Sequence, residues 1–205
     1  MNYETLATPE QIAETIKNLE AHNVHTISVA TGADALAKIK ELIPAGASVM
    51  NGSSVTLETI GYVDYLKDGQ HGWNNLHENI LTEQDKAKQS ELRKQAALSN
   101  YYLGSVHALS ETGEFLVASN TGSQLPHIVF TSKNLIFVVG AQKIVPNLAQ
   151  GFKRLEEYVV PLEDKYMMEK YNVHTFPSKV VIFNREKPES GRTVTMIIVN
   201  EKLGY

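Results

Sequence analysis

Cysteine is absent from the 205 residues. That absence excludes disulfides, thiolate zinc sites, cysteine-ligated iron–sulfur clusters and cysteine nucleophiles. It fits a reducing compartment. A basic excess is missing too: the formal net charge is −4. A chain so balanced is not expected to bind nucleic acid. No apolar run approaches the ~20 residues that a membrane helix needs. The opening stretch MNYETLATPEQ lacks a basic start followed by an apolar segment, so no signal peptide is expected. These absences together predict a soluble, cytoplasmic protein with no membrane and no nucleic-acid partner.

What remains is ordinary globular material, with 42% hydrophobic and 20% charged residues. A chain of this length buries roughly 70% of its unfolded surface, enough for a core without staples. The first half alternates helix and strand. Thr8, Pro9 and Gln11 form a helix start, with Ile12, Ile16 and Leu19 on one face. His25 to Ala30 reads as a strand, Thr31 and Asp34 as a second cap, and Ala47 to Met50 as a second strand. Thr56 to Leu66 looks helical, 67–79 irregular, and Asp85 opens a charged helix to about Ala97. Such alternation predicts an α/β fold with a central, mainly parallel sheet and flanking helices.

The second half adds a small mixed or antiparallel part. Tyr101 to Leu109 and Phe115 to Ser119 read as a hairpin around Glu111 to Glu114. Leu135 to Val139 is an apolar strand. Leu148 to Val159 is a helix stopped by Pro161. Val180 to Phe183 and Thr193 to Val199 are two more strands joined by a turn. No linker divides the chain, so one domain over 1–205 is expected.

Three predicted strand ends carry small polar turns: Gly52-Ser53-Ser54 with Thr56, Asn120-Thr121-Gly122-Ser123, and Gly140 followed by Lys143. Each alone is common turn chemistry. Together they predict one cleft beyond the carboxyl ends of the strands, where α/β sheets bind ligands. Hydroxyls, backbone N–H groups and Lys143 suit a small anionic metabolite. None of these turns matches a P-loop, a dinucleotide fingerprint or a hydrolase nucleophile elbow. Glu111, Glu58 and Glu201 are candidate acid–base carboxylates, each with an ordinary structural role as the rival reading. His71, His77 and Glu78 match no ligand spacing, so no metal is expected. His127, close behind the second turn, is a better site candidate than His107, which reads as part of a strand.

The runs Tyr102-Leu103-Gly104-Ser105-Val106-His107, Ala118 to Pro126 and Phe137 to Pro146 resemble the LUD (lactate utilisation) domain family, as do Asn51 to Leu57 and Asn200 to Gly204. The resemblance spans nearly the whole chain. It implies the fold of ribose-5-phosphate isomerases, coenzyme A transferases and glucosamine-phosphate deaminases, in which a Gly-Ser-Thr turn grips phosphate and carboxylates lie near the second turn. Gly52 to Thr56 stands at the place of the first feature, and Glu111 nearest the second. It further implies an accessory, non-redox role in lactate or organic-acid utilisation beside iron–sulfur partner proteins. No cofactor of the chain's own is expected, and self-association is plausible. The alternative is a stand-alone enzyme on a phosphorylated sugar or acyl-carrying metabolite.

Overall fold

The computed structural model describes residues 2–205. Helix α1 (Pro9–Ala21) begins at a reciprocal capping box between Thr8 and Gln11. Strand β1 (His25–Val29) follows, then helix α2 (Gly32–Leu42), capped in the same way by Thr31 and Asp34. Each box satisfies backbone N–H groups that a helix start leaves free. Strand β2 (Ser48–Asn51), helices α3 (Val55–Thr59) and α4 (Tyr62–Lys67), strand β3 (Asn74–Asn75), and helices α5 (Leu76–Thr82) and α6 (Lys86–Ala96) complete the first half.

The second half contains β4 (Tyr101–Gly104), β5 (Ala108–Ser110), β6 (Phe115–Ser119), β7 (Asn134–Gly140) and β8 (Ile144–Val145). Helices α7 (Leu148–Arg154) and α8 (Val160–Tyr171) and strands β9 (Lys179–Phe183) and β10 (Thr193–Val199) follow. The six-stranded sheet runs β1-β10-β7-β4-β2-β3 with every pairing parallel. A second, four-stranded mixed sheet runs β8-β5-β6-β9.

Side-chain alternation explains how the layers stack. In β7 and β10, Leu135, Phe137, Val139, Val194, Met196 and Ile198 point to one face. There they pack with Leu19 of α1 and with Leu109, Phe115, Val117 and Phe183 of the second sheet. Their neighbours Ile136, Val138, Ile197 and Val199 point to the other face, against Ala35, Ile39, Leu57 and Tyr62. A strand buried on both faces reads as an unbroken apolar run, as β7 does over 135–139, while β10 is apolar from Met196 to Val199 with Thr195 buried before them.

Five details differ from the sequence reading. The strand expected over 101–109 breaks after Gly104: β4 stays in the parallel sheet and β5 joins the second one. The helix expected over 56–66 is interrupted at Gly61, whose φ of +79° an L side chain rarely adopts. The segment 67–79 is not wholly irregular, since Asn75 caps α5. The strands β9 and β10, read as joined by a turn, belong to different sheets. Pro161 does not stop the helix. A π-helical turn (Leu155–Val159), closed by the Val160 N–H on the Leu155 carbonyl, links α7 directly to α8, and Pro161, which has no N–H to donate, follows that widened turn.

No helix of the described residues is long and apolar enough to cross a membrane.

Candidate functional site

The carboxyl ends of β2, β4 and β7 open onto a cleft of about 350 Å³ between the two sheets. Gly52, Ser53, Ser54 and Thr56 form one wall and Asn120, Thr121 and Ser123 another, with Lys143 between them. Of the residues singled out for binding, only Gly122 is not on the lining. It makes the turn instead, at φ +86°, with its N–H donated to Ser119 Oγ at 2.9 Å. The strand leading to this second turn is β6, which lies in the mixed sheet rather than the parallel one as expected.

Lys143 sits in a 3₁₀ turn directly after β7 and is 3% exposed. Its Nζ donates to Thr56 Oγ1 at 2.9 Å and to Ser105 Oγ at 3.1 Å. The Thr56 hydroxyl donates onward to the Leu203 carbonyl at 3.2 Å. Behind the cleft wall lies Arg154 of α7, fully buried. One guanidinium nitrogen donates to the His107 carbonyl, while Nε and Nη2 have no hydrogen-bond partner among the described residues. No salt bridge among the described residues involves either cation. Desolvation, reinforced by the nearby Arg154 charge, lowers Lys143 to about 7. Burial likewise lowers Arg154 to about 10.

His107 fills the link between β4 and β5. Its Nδ1 accepts the Ala118 N–H at 3.1 Å. Burial first, then the charges of Lys143 and Arg154, depress the imidazole to about 3, so it is neutral at physiological pH. Across the cleft, Glu163 of α8 accepts a hydrogen bond from the Tyr205 hydroxyl. Burial and then this contact raise the Tyr205 pKa above its ordinary value. Thr175, Phe176 and Pro177 complete that side.

A second chamber of about 180 Å³ adjoins the first and shares Gly52, Ser53, Tyr102, Ser123 and Gln124 with it. The partition is the Tyr102 hydroxyl, donated to Gln124 Oε1 at 3.1 Å. Gly52 passes so close that a Cβ there would lie 2.9 Å from that hydroxyl and 3.0 Å from Oε1. His77 and His127 face this side chamber. His127 stacks on Tyr102 with ring centroids 4.7 Å apart, and its Nδ1 lies within hydrogen-bond reach of Ser99 and Ser132. Burial lowers it to about 4.

The carboxylates proposed from sequence do not gather at the cleft. Glu111 is not on the cleft lining: it lies beyond the opposite end of β5 from His107, where its carboxylate accepts from Gln11 Nε2 at 2.8 Å and its carbonyl from Asn18 at 2.7 Å. It ties the hairpin to α1. Glu201 accepts the Gly32 N–H at 2.8 Å and so caps α2. Glu58 is exposed in the first turn of α3. His71 stacks on Trp73 and accepts its backbone N–H at 2.9 Å. Among the described residues no cluster of three or more His, Asp or Glu side chains is placed to hold a metal.

Ser105, Glu163, Tyr205 and Arg154 were not anticipated. The Gly104-Ser105 step after an apolar run could have marked Ser105 as another strand end. Glu163 and Arg154 come from helices distant in sequence, and no local pattern marks them.

The fold and cleft define an α/β protein whose ligand-sized cavity lies at the carboxyl ends of a parallel sheet, walled on one side by a smaller mixed sheet. The model of the LUD domain matches residues 12–200, and the chain belongs to that family. Its structure is similar to the crystal structure of a DUF162 family protein from Deinococcus radiodurans, with 12% identity and a TM-score of 0.53. The likeness covers 96% of this chain and 100% of that one, and it supports the fold. No curated protein matches the chain.

Proposed function

We propose that the cleft binds a small anionic metabolite and acts on it, with Lys143 as the central group. One observation carries this reading: two basic side chains, Lys143 and Arg154, are buried near each other with no carboxylate among the described residues paired to either. Taking a cation out of water without a counter-ion costs several kcal/mol, and proteins rarely retain such an arrangement without a use for it. An anion in the cleft would supply the missing charge, while the hydroxyls of Ser53, Ser54, Thr121 and Ser123 would donate to its oxygens. The volume suits a metabolite of a few carbons, with the side chamber available to a longer one.

A thermal-shift series with phosphate, lactate, pyruvate, sugar phosphates and coenzyme A esters tests this reading. An anion at ~100 times its dissociation constant should stabilise the fold by ~2.7 kcal/mol. For a chain of this size that is roughly 2–4 °C in Tm per kcal/mol. The shift should vanish in Lys143→Met. Equal shifts in both proteins would remove Lys143 from the binding site, and no shift with any anion would remove the reading.

Family membership favours a second reading, an accessory role in lactate or organic-acid utilisation. The chain has no cysteine to ligate an iron–sulfur cluster, so cysteine-bound redox centres in such a system would sit on partner proteins. Purification from the native cell should then yield a complex with the visible absorbance of a cluster. A colourless, unaccompanied protein would count against this role and leave the anion cleft standing.

A further inference from the structure

We propose that Lys143 is a nucleophile that forms a Schiff base with a small carbonyl compound carrying an anionic group. This deepens the reading above and rests on it. The hydrogen-bond geometry accommodates a neutral amine. An ammonium presents three N–H donors, whereas a neutral amine presents two and a lone pair. Thr56 Oγ1 and Ser105 Oγ accept two. The Thr56 hydrogen is committed to the Leu203 carbonyl, so this oxygen meets Lys143 as an acceptor. No third acceptor for Nζ is present among the described residues. Two positions on Nζ are thus taken by protein acceptors, and the third opens on the cleft that the side chain lines.

The surroundings keep the amine in that form. Lysine becomes nucleophilic near neutral pH when it is desolvated or set beside another cation, and both conditions hold here. Arg154 supplies the second charge from behind the wall and keeps its own proton at any physiological pH. No carboxylate among the described residues pairs with Lys143 to hold it as an ammonium. The cationic field that repels a proton from Lys143 also attracts a carboxylate or phosphate, which would bring a carbonyl on the same small molecule against Nζ.

The reaction balances without a further reagent. The lone pair of Nζ adds to the carbonyl carbon, and the C=O π pair moves to oxygen. Proton transfer from nitrogen to that oxygen gives a neutral carbinolamine. Loss of the hydroxyl with a second proton releases water and leaves a C=N bond to Lys143. Nothing is oxidised or reduced. The imine, once protonated, withdraws electrons from the adjacent carbon, which is the purpose of such adducts in lysine-dependent catalysis.

Incubating the full chain with pyruvate or with dihydroxyacetone phosphate, then reducing with sodium borohydride, tests the proposal. Hydride converts an imine to a stable secondary amine, so the protein should gain the mass of the probe less one oxygen. Peptide mapping should place that increment on Lys143. Labelling by pyruvate would name a 2-oxo acid as the substrate class; labelling by dihydroxyacetone phosphate would name a phosphorylated ketone. The rate at Lys143 should rise between pH 6 and pH 8 and then level, whereas exposed lysines react mainly near their ordinary value of about 10.4. The map of the wild-type protein suffices if Lys143→Met does not fold. An unlabelled Lys143 with both probes overturns the proposal. If anions still raise Tm in that case, the anion cleft survives and only the covalent step falls; if they do not, both fall together.

Discussion

Lys143→Met is expected to make the ligand-free protein more stable while removing its response to anions. Burial lowers the amine from 10.5 to about 7. The unfolded chain therefore binds more protons than the folded one between those two values, and stability rises with pH across that interval. Below about 7 the amine is charged in both states and the full cost of burying the charge is present. Above 10.5 it is neutral in both states and the cost is gone. A shift of this size amounts to several kcal/mol. Methionine has similar length and carries no charge, but it forfeits the bonds to Thr56 and Ser105, each worth ~1 kcal/mol. A net gain of ~2 kcal/mol at pH 6 is expected, shrinking toward pH 10. Urea unfolding of both proteins at the two pH values checks it. A loss of stability at pH 6 would mean that the lysine is held by a counter-charge, and would undercut the uncompensated-cation reading.

Gly140→Ala should be among the most damaging single-methyl additions in the chain. The backbone there has φ −69° and ψ 140°, which alanine adopts freely, so the difficulty is space alone. A Cβ would collide with Gln142 Oε1 and stand 2.7 Å from both the Glu201 carbonyl oxygen and the Leu203 nitrogen. Two of those neighbours are backbone and cannot rotate away. Leu203 also holds the chain of contacts to Lys143, since its carbonyl accepts from both Thr56 Oγ1 and Gln142 Nε2. Displacing it should cost ~3 kcal/mol or more, in the range of severe overpacking, and should loosen Thr56 from the amine. Denaturant unfolding measures the first effect and the anion-induced Tm shift the second. Wild-type values for both would show that the 200–204 segment yields easily and does not shape the cleft.

The parts of the structure legible in sequence are those written locally. The capping boxes at Thr8 and Thr31 place α1 and α2 to within a residue, because the signal and the structure share the same four positions. The unbroken apolar run of β7 and the four apolar residues that end β10 announce the centre of the sheet. The turns at Gly52 and Asn120 and the lysine after Gly140 could be singled out because each follows a recognisable strand. The break at Gly104 has one local mark, the Gly104-Ser105 step, but Leu103 and Val106 are both apolar and only the destination of the strand, one sheet or another, decides it. Glu111 stands away from the cleft for a related reason: a hairpin has two ends, and the cleft lies at the one holding His107. Arg154 and Glu163 reach the site from helices whose exposed and buried positions look alike in sequence, and only packing distinguishes them.

The π turn at 155–159 has a consequence for chain length. Such a turn is an α-helix holding one surplus residue. Leu155 and Val159 lie against the cleft within it, and Glu163 and Met167 face the cleft one and two turns further along α8. With that residue deleted, the segment would relax into an ordinary helix and every later position would swing by about 100°. Glu163 and Met167 would then leave the wall together, although neither had been altered. Homologues that differ by this one residue should therefore diverge in what their clefts admit, even where the residues at the strand ends are identical.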